Sequence, residues 1–234
     1  MKNKTILIQG AMDIEIETII KNLDDMAKIN ISDFEFYTGK INNYKIIVSK
    51  TLIGEINSSI ATTLGITKFT PDLVINQGIA GAHKEYIHTG DIIIGKYCQN
   101  INTYSMPEKK LNEGSNPFEW KLSKRSKAIE TNIELVKKFE EFFINNYENK
   151  IYTGVLGSGD VFNREIDRIN WISNNFNTLS EDMESIATYE TCHKLNIPCI
   201  GIRIISNNEI IKEPLDETQA IVLQNLIISL LKKS

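Results

Sequence analysis

The stretch Leu179-Ser-Glu-Asp-Met-Glu-Ser185 sets three carboxylates, Glu181, Asp182 and Glu184, around one methionine, and a helical pattern from Ile186 to Leu195 follows at once. The next apolar run, Ile197 to Ile205, is bounded by Pro198 and by polar Ser206-Asn-Asn208. It reads as a buried strand whose C-terminal end opens into a site. Carboxylates at a loop-to-helix junction beside such a strand end suit the ligand crevice of an α/β sheet. The plainer reading is an acidic cap, because carboxylates are favourable at helix N-termini. Glu15 poses the same choice. It lies in the first turn of a helix that follows the first strand, so it either compensates the helix dipole or presents a carboxylate where α/β sites lie. In Gln77-Gly-Ile-Ala-Gly-Ala82, Gly78 and Gly81 let backbone approach a ligand closely, although tight turns use the same residues.

The elements that must position these groups follow from periodicity. Thr5 to Gln9 is a strand, and Asp13 to Ile29 has helical spacing through Ile16, Ile19, Ile20 and Leu23. Phe34–Tyr37 and Tyr44–Ser49 alternate as strands joined by a turn over 38–43. Ile53-Gly54 leads into a helix over 56–65, and Leu73 to Asn76 is the next buried strand. Asp91 to Gly95 is a further strand. The polar stretch 99–120 reads as a long surface loop, of the kind that is often functional. Helices are expected over Ser126–Tyr147, near Arg164–Asn174 and over Glu217–Lys233, with a strand from Tyr152 to Leu156. Strands alternating with helices make this an α/β chain with a parallel or mixed sheet, in one domain over 1–234.

Composition narrows the function classes. At 41% hydrophobic and a net charge of −4, the chain buries a full core and offers no basic face to nucleic acid. Its apolar runs are too short to span a bilayer. Met1-Lys-Asn-Lys-Thr-Ile leads straight into a strand without a signal-peptide core. Cys98, Cys192 and Cys199 lack CxxC spacing and fit a reducing cytoplasm. His83, His88 and His193 form no zinc pattern, so no metal and no cofactor are expected.

Several segments together resemble one family. Gly10-Ala-Met-Asp-Ile-Glu15, Tyr37-Thr-Gly39, Ile53-Gly54, Ile75-Asn-Gln-Gly-Ile-Ala-Gly81, Gly90-Asp-Ile-Ile-Ile94, Ser158-Gly-Asp-Val-Phe162, Asp182-Met-Glu-Ser185 and Arg203-Ile-Ile-Ser206 fall in the order of the 5′-methylthioadenosine/S-adenosylhomocysteine nucleosidases, within the purine nucleoside phosphorylase superfamily. The resemblance implies a three-layer α/β/α fold around a mixed, partly closed sheet, a homodimer, and hydrolysis of a purine–ribose N-glycosidic bond. By position, Glu15 matches the carboxylate that activates water, and Glu184 the one that holds the ribose hydroxyls beside Met183. Phe162 matches the ring stacked on the purine, and the backbone at Asn163 would face the base edge. Met12 and Ile53 match apolar residues near the sugar. Ile79, in the glycine-rich segment, completes the substrate contacts. Ser206 matches the residue that orients the leaving-group acid. That acid is the point of departure: the family pattern is Ser-Asp, and here it is Ser206-Asn207.

Asparagine cannot release a proton, although its NH2 can still donate a hydrogen bond to N7. Other branches that release hypoxanthine from inosine-like substrates or futalosine resemble this chain in carrying Asn there, and an engineered Asp-to-Asn change would look the same. Cleavage passes through an oxocarbenium-like sugar, which needs an activated water, a charge near the cation and help for the leaving base. The mechanistic rival is phosphorolysis, which needs an anion pocket. The N-terminal loop has no Arg, Ile79 has no side-chain donor, and Arg203 reads as a structural ion pair. A slow nucleoside-binding homologue is the non-enzymatic alternative. Asp160 fits a turn or cap as well as a catalytic role. Cys192 and His193 read as structural. Tyr104 and Phe118 read as loop anchors, with closure over a substrate tail as the alternative.

Overall fold

The computed structural model describes residues 4–123 and 127–233. In chain order the strands are β1 (Thr5–Gly10), β2 (Asp24–Ile31), β3 (Phe34–Ile41), β4 (Tyr44–Lys50), β5 (Leu73–Ala82), β6 (Ile92–Asn100), β7 (Tyr104–Ser105), β8 (Lys121–Leu122), β9 (Ile129–Glu130), β10 (Ile151–Ser158), β11 (Thr178–Asp182) and β12 (Cys199–Asn207). The helices are α1 (Asp13–Lys21), α2 (Glu55–Phe69), α3 (Ile133–Asn146), α4 (Ile166–Phe176), α5 (Ser185–Leu195) and α6 (Gln219–Lys233).

Ten strands form one sheet in the order β11-β10-β6-β12-β5-β1-β4-β3-β2, with β9 attached to β6. The β1–β4, β1–β5, β5–β12, β6–β10 and β10–β11 ladders are parallel, whereas β6–β12 and the β2–β3–β4 meander are antiparallel. β11 also pairs with β5 in antiparallel register, so β5, β12, β6, β10 and β11 close on themselves. The mixed, partly closed sheet is therefore as expected. One core packs α1, α3 and α6 on the sheet through Ile16, Phe139, Phe143, Leu223 and Ile227. A second joins α2 and α5 to the other face through Ala61, Ile66, Leu7, Phe36 and Cys192. Each such fully buried aliphatic or aromatic side chain contributes about 1.5–3 kcal/mol.

Four local expectations change. The first helix stops at Lys21 rather than Ile29. The Asn22 and Leu23 N–H groups turn back to the carbonyls of Ile19 and Ile20, Asp25 has φ +53°, and 24–31 becomes an edge strand. The turn between β3 and β4 shrinks to Asn42 and Asn43, with Asn42 at φ +53°. Both glycines of 77–82, and the acids Glu181 and Asp182, lie in strands rather than loops, because β5 runs to Ala82 and β11 pairs against its end. The helix expected from Ser126 begins at Ile133, capped by Asn132 Oδ1 accepting from the N–H groups of Glu134 and Leu135; Ser126 itself lies outside the described residues. The 99–120 loop carries the short β7–β8 ladder. It is pinned at Tyr104, which packs against Trp120, Trp171 and Phe176, with the Arg168 guanidinium 4.9 Å from its ring centroid. Tyr104 is thus an anchor.

Candidate active site

Glu15 enters at the first turn of α1 and is buried at 4% exposure. Its Oε2 accepts from the N–H groups of Ala11 (2.7 Å) and Met12 (3.1 Å), and Oε1 accepts from the Ile79 N–H (2.9 Å). The first two bonds cap the start of α1 and the third crosses to β5, so the carboxylate bridges its own helix start and the strand. Burial raises its pKa above the ordinary carboxylate value, while the Ile79 N–H and the Arg203 charge hold it down. A carboxyl tuned in this way can take a proton from water.

The acids at 181–184 divide between the two readings. Asp182 is the cap: its Oδ1 accepts from the N–H groups of Glu184 (2.8 Å) and Ser185 (2.7 Å) and from Ser158 Oγ (2.9 Å). Its Oδ2 takes Arg203 Nε at 3.1 Å, and both side chains are 2% exposed. Arg203 also donates to the Asn76 and Ile202 carbonyls, Asn76 Oδ1 and Ser185 Oγ. It is a fully satisfied structural ion pair, as expected. Glu184 is left to face the site. Its Oε1 accepts from the Gly54 N–H at 3.0 Å, next to Ile53, and Gly54 adopts φ +102° to present that group. Burial, then the Asp182 charge, pushes its pKa to about 8, and the Glu15 charge acts in the same direction. Asp160 also resolves as a cap, since its Oδ1 accepts from the Glu55 N–H at the start of α2 (2.7 Å).

A second group lies further along β5. Asn207 is 2% exposed, and its Oδ1 accepts from Ser206 Oγ at 3.0 Å. The β12–β5 register slips between Ile205 and Asn207, which re-aims the asparagine over Gly81. Asn207, Gly81, Phe162 and Asn163 line one cavity, together with Glu181, His83 and Glu209. The Asn163 N–H is already engaged by Glu181 Oε1 at 2.9 Å. Strand β5 acts as the ruler between the two groups: Gly78 to Gly81 spans about 10 Å at 3.2–3.4 Å per residue. Glu15, Met12 and Ile79 stand at one end; Asn207 and Ser206 stand at the other. Glu184 and Ile53 join the Glu15 end through the Gly54 contact, and Met183 precedes Glu184, part-buried. Ile53 and Phe162 are about half exposed.

His83 and Glu209 were not among the residues expected in the site from sequence, and Glu181 was read there only as part of the acidic cluster at a loop-to-helix junction. Among the described residues, no group of three or more His, Cys, Asp or Glu side chains could hold a metal ion.

Comparison with known proteins shows the family and the fold. The phosphorylase superfamily matches residues 5–229. The 5′-methylthioadenosine/S-adenosylhomocysteine nucleosidase of Staphylococcus haemolyticus is 33% identical over 204 residues, covering 86% of this chain and 85% of its own. Among solved structures, the Neisseria meningitidis 5′-methylthioadenosine/S-adenosylhomocysteine nucleosidase in complex with methylthio-immucillin-A superposes with a TM-score of 0.84 at 23% identity, over 99% of this chain and 100% of its own. A futalosine hydrolase mutant of Helicobacter pylori superposes with a TM-score of 0.83 at 24% identity, again over 99% and 100%.

Proposed function

The chain belongs to the phosphorylase superfamily, among its 5′-methylthioadenosine/S-adenosylhomocysteine nucleosidases, and we propose that it hydrolyses the N-glycosidic bond of a purine nucleoside of that kind, releasing the free base and a ribose derivative. The observation that carries the reading is the Glu15 carboxylate, buried yet held by three backbone N–H groups, two at the start of α1 and one on β5. Glu15 takes a proton from the attacking water. Glu184 grips the ribose hydroxyls, beside Met183, and in its ionised form brings negative charge towards the oxocarbenium as it forms. Met12, Ile53 and Ile79 border the sugar, and Phe162 and the Asn163 backbone border the base. Asn207, oriented by Ser206, donates a hydrogen bond to the departing purine.

Hydrolysis is favoured over phosphorolysis because Arg203, a buried guanidinium close to Glu15, is already spent on Asp182, Asn76 and Ser185. The reaction needs no metal or cofactor in this scheme. A single ten-stranded sheet, running from Thr5 to Asn207, supports treating 1–234 as one domain. The exposed apolar side chains Ile56 and Ile60 on α2, near Ile53, support a homodimer with its interface beside the site. No described helix is long and apolar enough to cross a membrane, and three free cysteines favour a cytoplasmic setting.

The test is release of free base, followed by chromatography with and without phosphate, from the wild type and Glu15→Gln. The wild type should turn over without phosphate. Glu15→Gln should lose about 10²–10⁴-fold in turnover, the range for a general base, with nucleoside binding largely kept. Near-wild-type hydrolysis in the variant removes Glu15 from the mechanism. A second reading, cleavage of a 6-oxopurine nucleoside, is favoured by one residue: Asn207 has no proton to give, and a 6-oxopurine leaves more readily as an anion.

A further inference from the structure

The first turn of α1 is held by two buried glutamines from other elements. Gln224 lies within α6 and is fully buried. Its Nε2 donates to the Ile14 carbonyl (2.7 Å), and its Oε1 accepts from the N–H groups of Thr18 (2.9 Å) and Ile19 (3.3 Å). Ile14 C=O and Thr18 N–H are the two halves of one rung of a helical ladder, so an amide from α6 is seated on that rung of α1. The second Nε2 hydrogen goes to the Ala220 carbonyl at 3.0 Å, which leaves the side chain fully satisfied. Gln77, buried on β5, takes the next carbonyl of α1: its Nε2 donates to the Glu15 C=O at 2.6 Å.

Ile16 and Ile19 already bury this nine-residue helix in the core. Apolar contact is non-directional and leaves the rotation and slide of so short a helix loosely set. Hydrogen bonds are directional. Two of them, from α6 and from β5 onto consecutive carbonyls, fix both. Gly10 belongs to the same arrangement. A β-carbon there would lie 2.8 Å from Ile16 Cγ2, 2.9 Å from Glu15 Cβ and 3.1 Å from Gln77 Nε2. The end of β1 thus carries no side chain where the helix turn and the amide meet.

The Glu15 carboxylate hangs from the turn that these amides hold. To reach the Ile79 N–H from α1, the Glu15 backbone must keep one height and one angle over β5. A reacting group misplaced by about 1 Å can cost about 10²-fold. We propose that Gln224 and Gln77 are positioning residues for Glu15, gripping its turn from α6 and β5 so that the carboxylate meets both the Ile79 N–H and the water. α6 is the helix that follows β12, so the run of chain that presents Asn207 also steadies Glu15. This rests on the nucleosidase reading above, with Glu15 as its base.

The experiment measures kcat, KM and the pH profile of kcat/KM on 5′-methylthioadenosine and inosine, with the thermal midpoint, in the wild type, Gln224→Met, Gln77→Met and Leu223→Ala. Methionine keeps the length of the side chain and removes its hydrogen-bonding groups. Leu223→Ala removes buried packing from α6 and leaves both amides in place. Each methionine variant should lower kcat at least about tenfold and change KM far less, because the lost precision acts on the reacting group. Its acid limb should move to higher pH, since a carboxylate shifted off the Ile79 N–H loses a bond that favours its ionised form. The charges facing Glu15, Arg203 on β12 and Glu184 at the start of α5, are the same in all four proteins. Leu223→Ala should lose stability, keep most of kcat and leave the limb in place. Wild-type kcat and an unmoved limb in both methionine variants overturn the proposal and leave Glu15 as the base. So does an equal loss of kcat in Leu223→Ala, which marks the amides as packing. An effect confined to one methionine variant overturns the assignment of the other glutamine. If one variant does not fold, the other decides; failure of both to fold marks the amides as structural and overturns the proposal. Turnover of neither nucleoside by the wild type overturns the nucleosidase reading itself.

Discussion

The Glu15 carboxylate occupies the space that a side chain on Gly78 would need: a β-carbon there would collide with Oε1. Glycine at 78 is thus a positioning requirement of the acid, not of a turn, since the residue sits inside β5. Gly78→Ala should push the carboxylate off the Ile79 N–H. Displacing a reacting group by about 1 Å can cost about 10²-fold. Turnover should fall by that order, with the far-ultraviolet circular dichroism unchanged. Wild-type kcat in this variant would place the reacting carboxylate elsewhere.

Glu184→Gln should weaken binding and turnover of ribosides and hurt 2′-deoxyribosides less. In the proposed site the carboxylate accepts from two hydroxyls while also holding the Gly54 N–H, and the amide has one acceptor oxygen. Steady-state kinetics on matched ribo and deoxyribo pairs decide it; equal losses on both would mean that Glu184 only braces Gly54.

Stability should fall as pH rises from about 5 to 9. Glu184 has its pKa raised to about 8 in the folded chain, and Glu55, half-buried beside Asp160, to about 7. Between the ordinary value of 4.5 and these raised values the folded state binds more protons than the unfolded one, so unfolding becomes easier with each step up in pH. The thermal midpoint, followed by calorimetry across that window, should decline, and Glu184→Gln should flatten the decline. A midpoint that climbs with pH would contradict the sign.

Asn207→Asp should speed cleavage of adenine nucleosides at least about tenfold, the lower part of the range for an acid catalyst. Asn207 Nδ2 lies 3.5 Å from Glu209 Oε1, so a carboxyl placed there would meet a second one and keep its proton to higher pH. Hypoxanthine nucleosides should gain little or lose, because an ionised Asp repels both acceptors. The measurement is kcat/KM on both base types at several pH values. No gain on adenine at any pH would mean that Asn207 does not stand at the leaving base.

Much of the architecture was legible from alternation of strand and helix patterns, and Arg203 as a buried ion pair followed from its place inside an apolar run. The failures share a cause. The stretch 22–31 keeps helix-compatible residues, and only the backbone turn at Asn22 and the left-handed Asp25 end the helix. Gly78 and Gly81 read as loop because glycine weakens strands, yet Glu15 and Asn207 cover them from above. Separating Asp182 from Glu181 and Glu184 required the partners that only folding supplies: Arg203 for one, His83 with Asn163 for another, Gly54 for the third. Three consecutive-looking acids thus have three different roles, and charge alone does not tell them apart.

The contacts that build the site join distant parts of the chain: Gly54 with Glu184, Asn76 with Arg203, Ile79 with Glu15 and Gly81 with Asn207. Closing such loops carries an entropic cost before any contact rewards it. The first strand-and-helix unit supplies the proposed base, and the last strand supplies the proposed leaving-group donor. No contiguous fragment contains both without nearly the whole described chain. Competence for catalysis is therefore a property of nearly the whole chain: it needs β12 in place between β5 and β6, and a chain lacking that strand would present Glu15 without the proposed leaving-group donor.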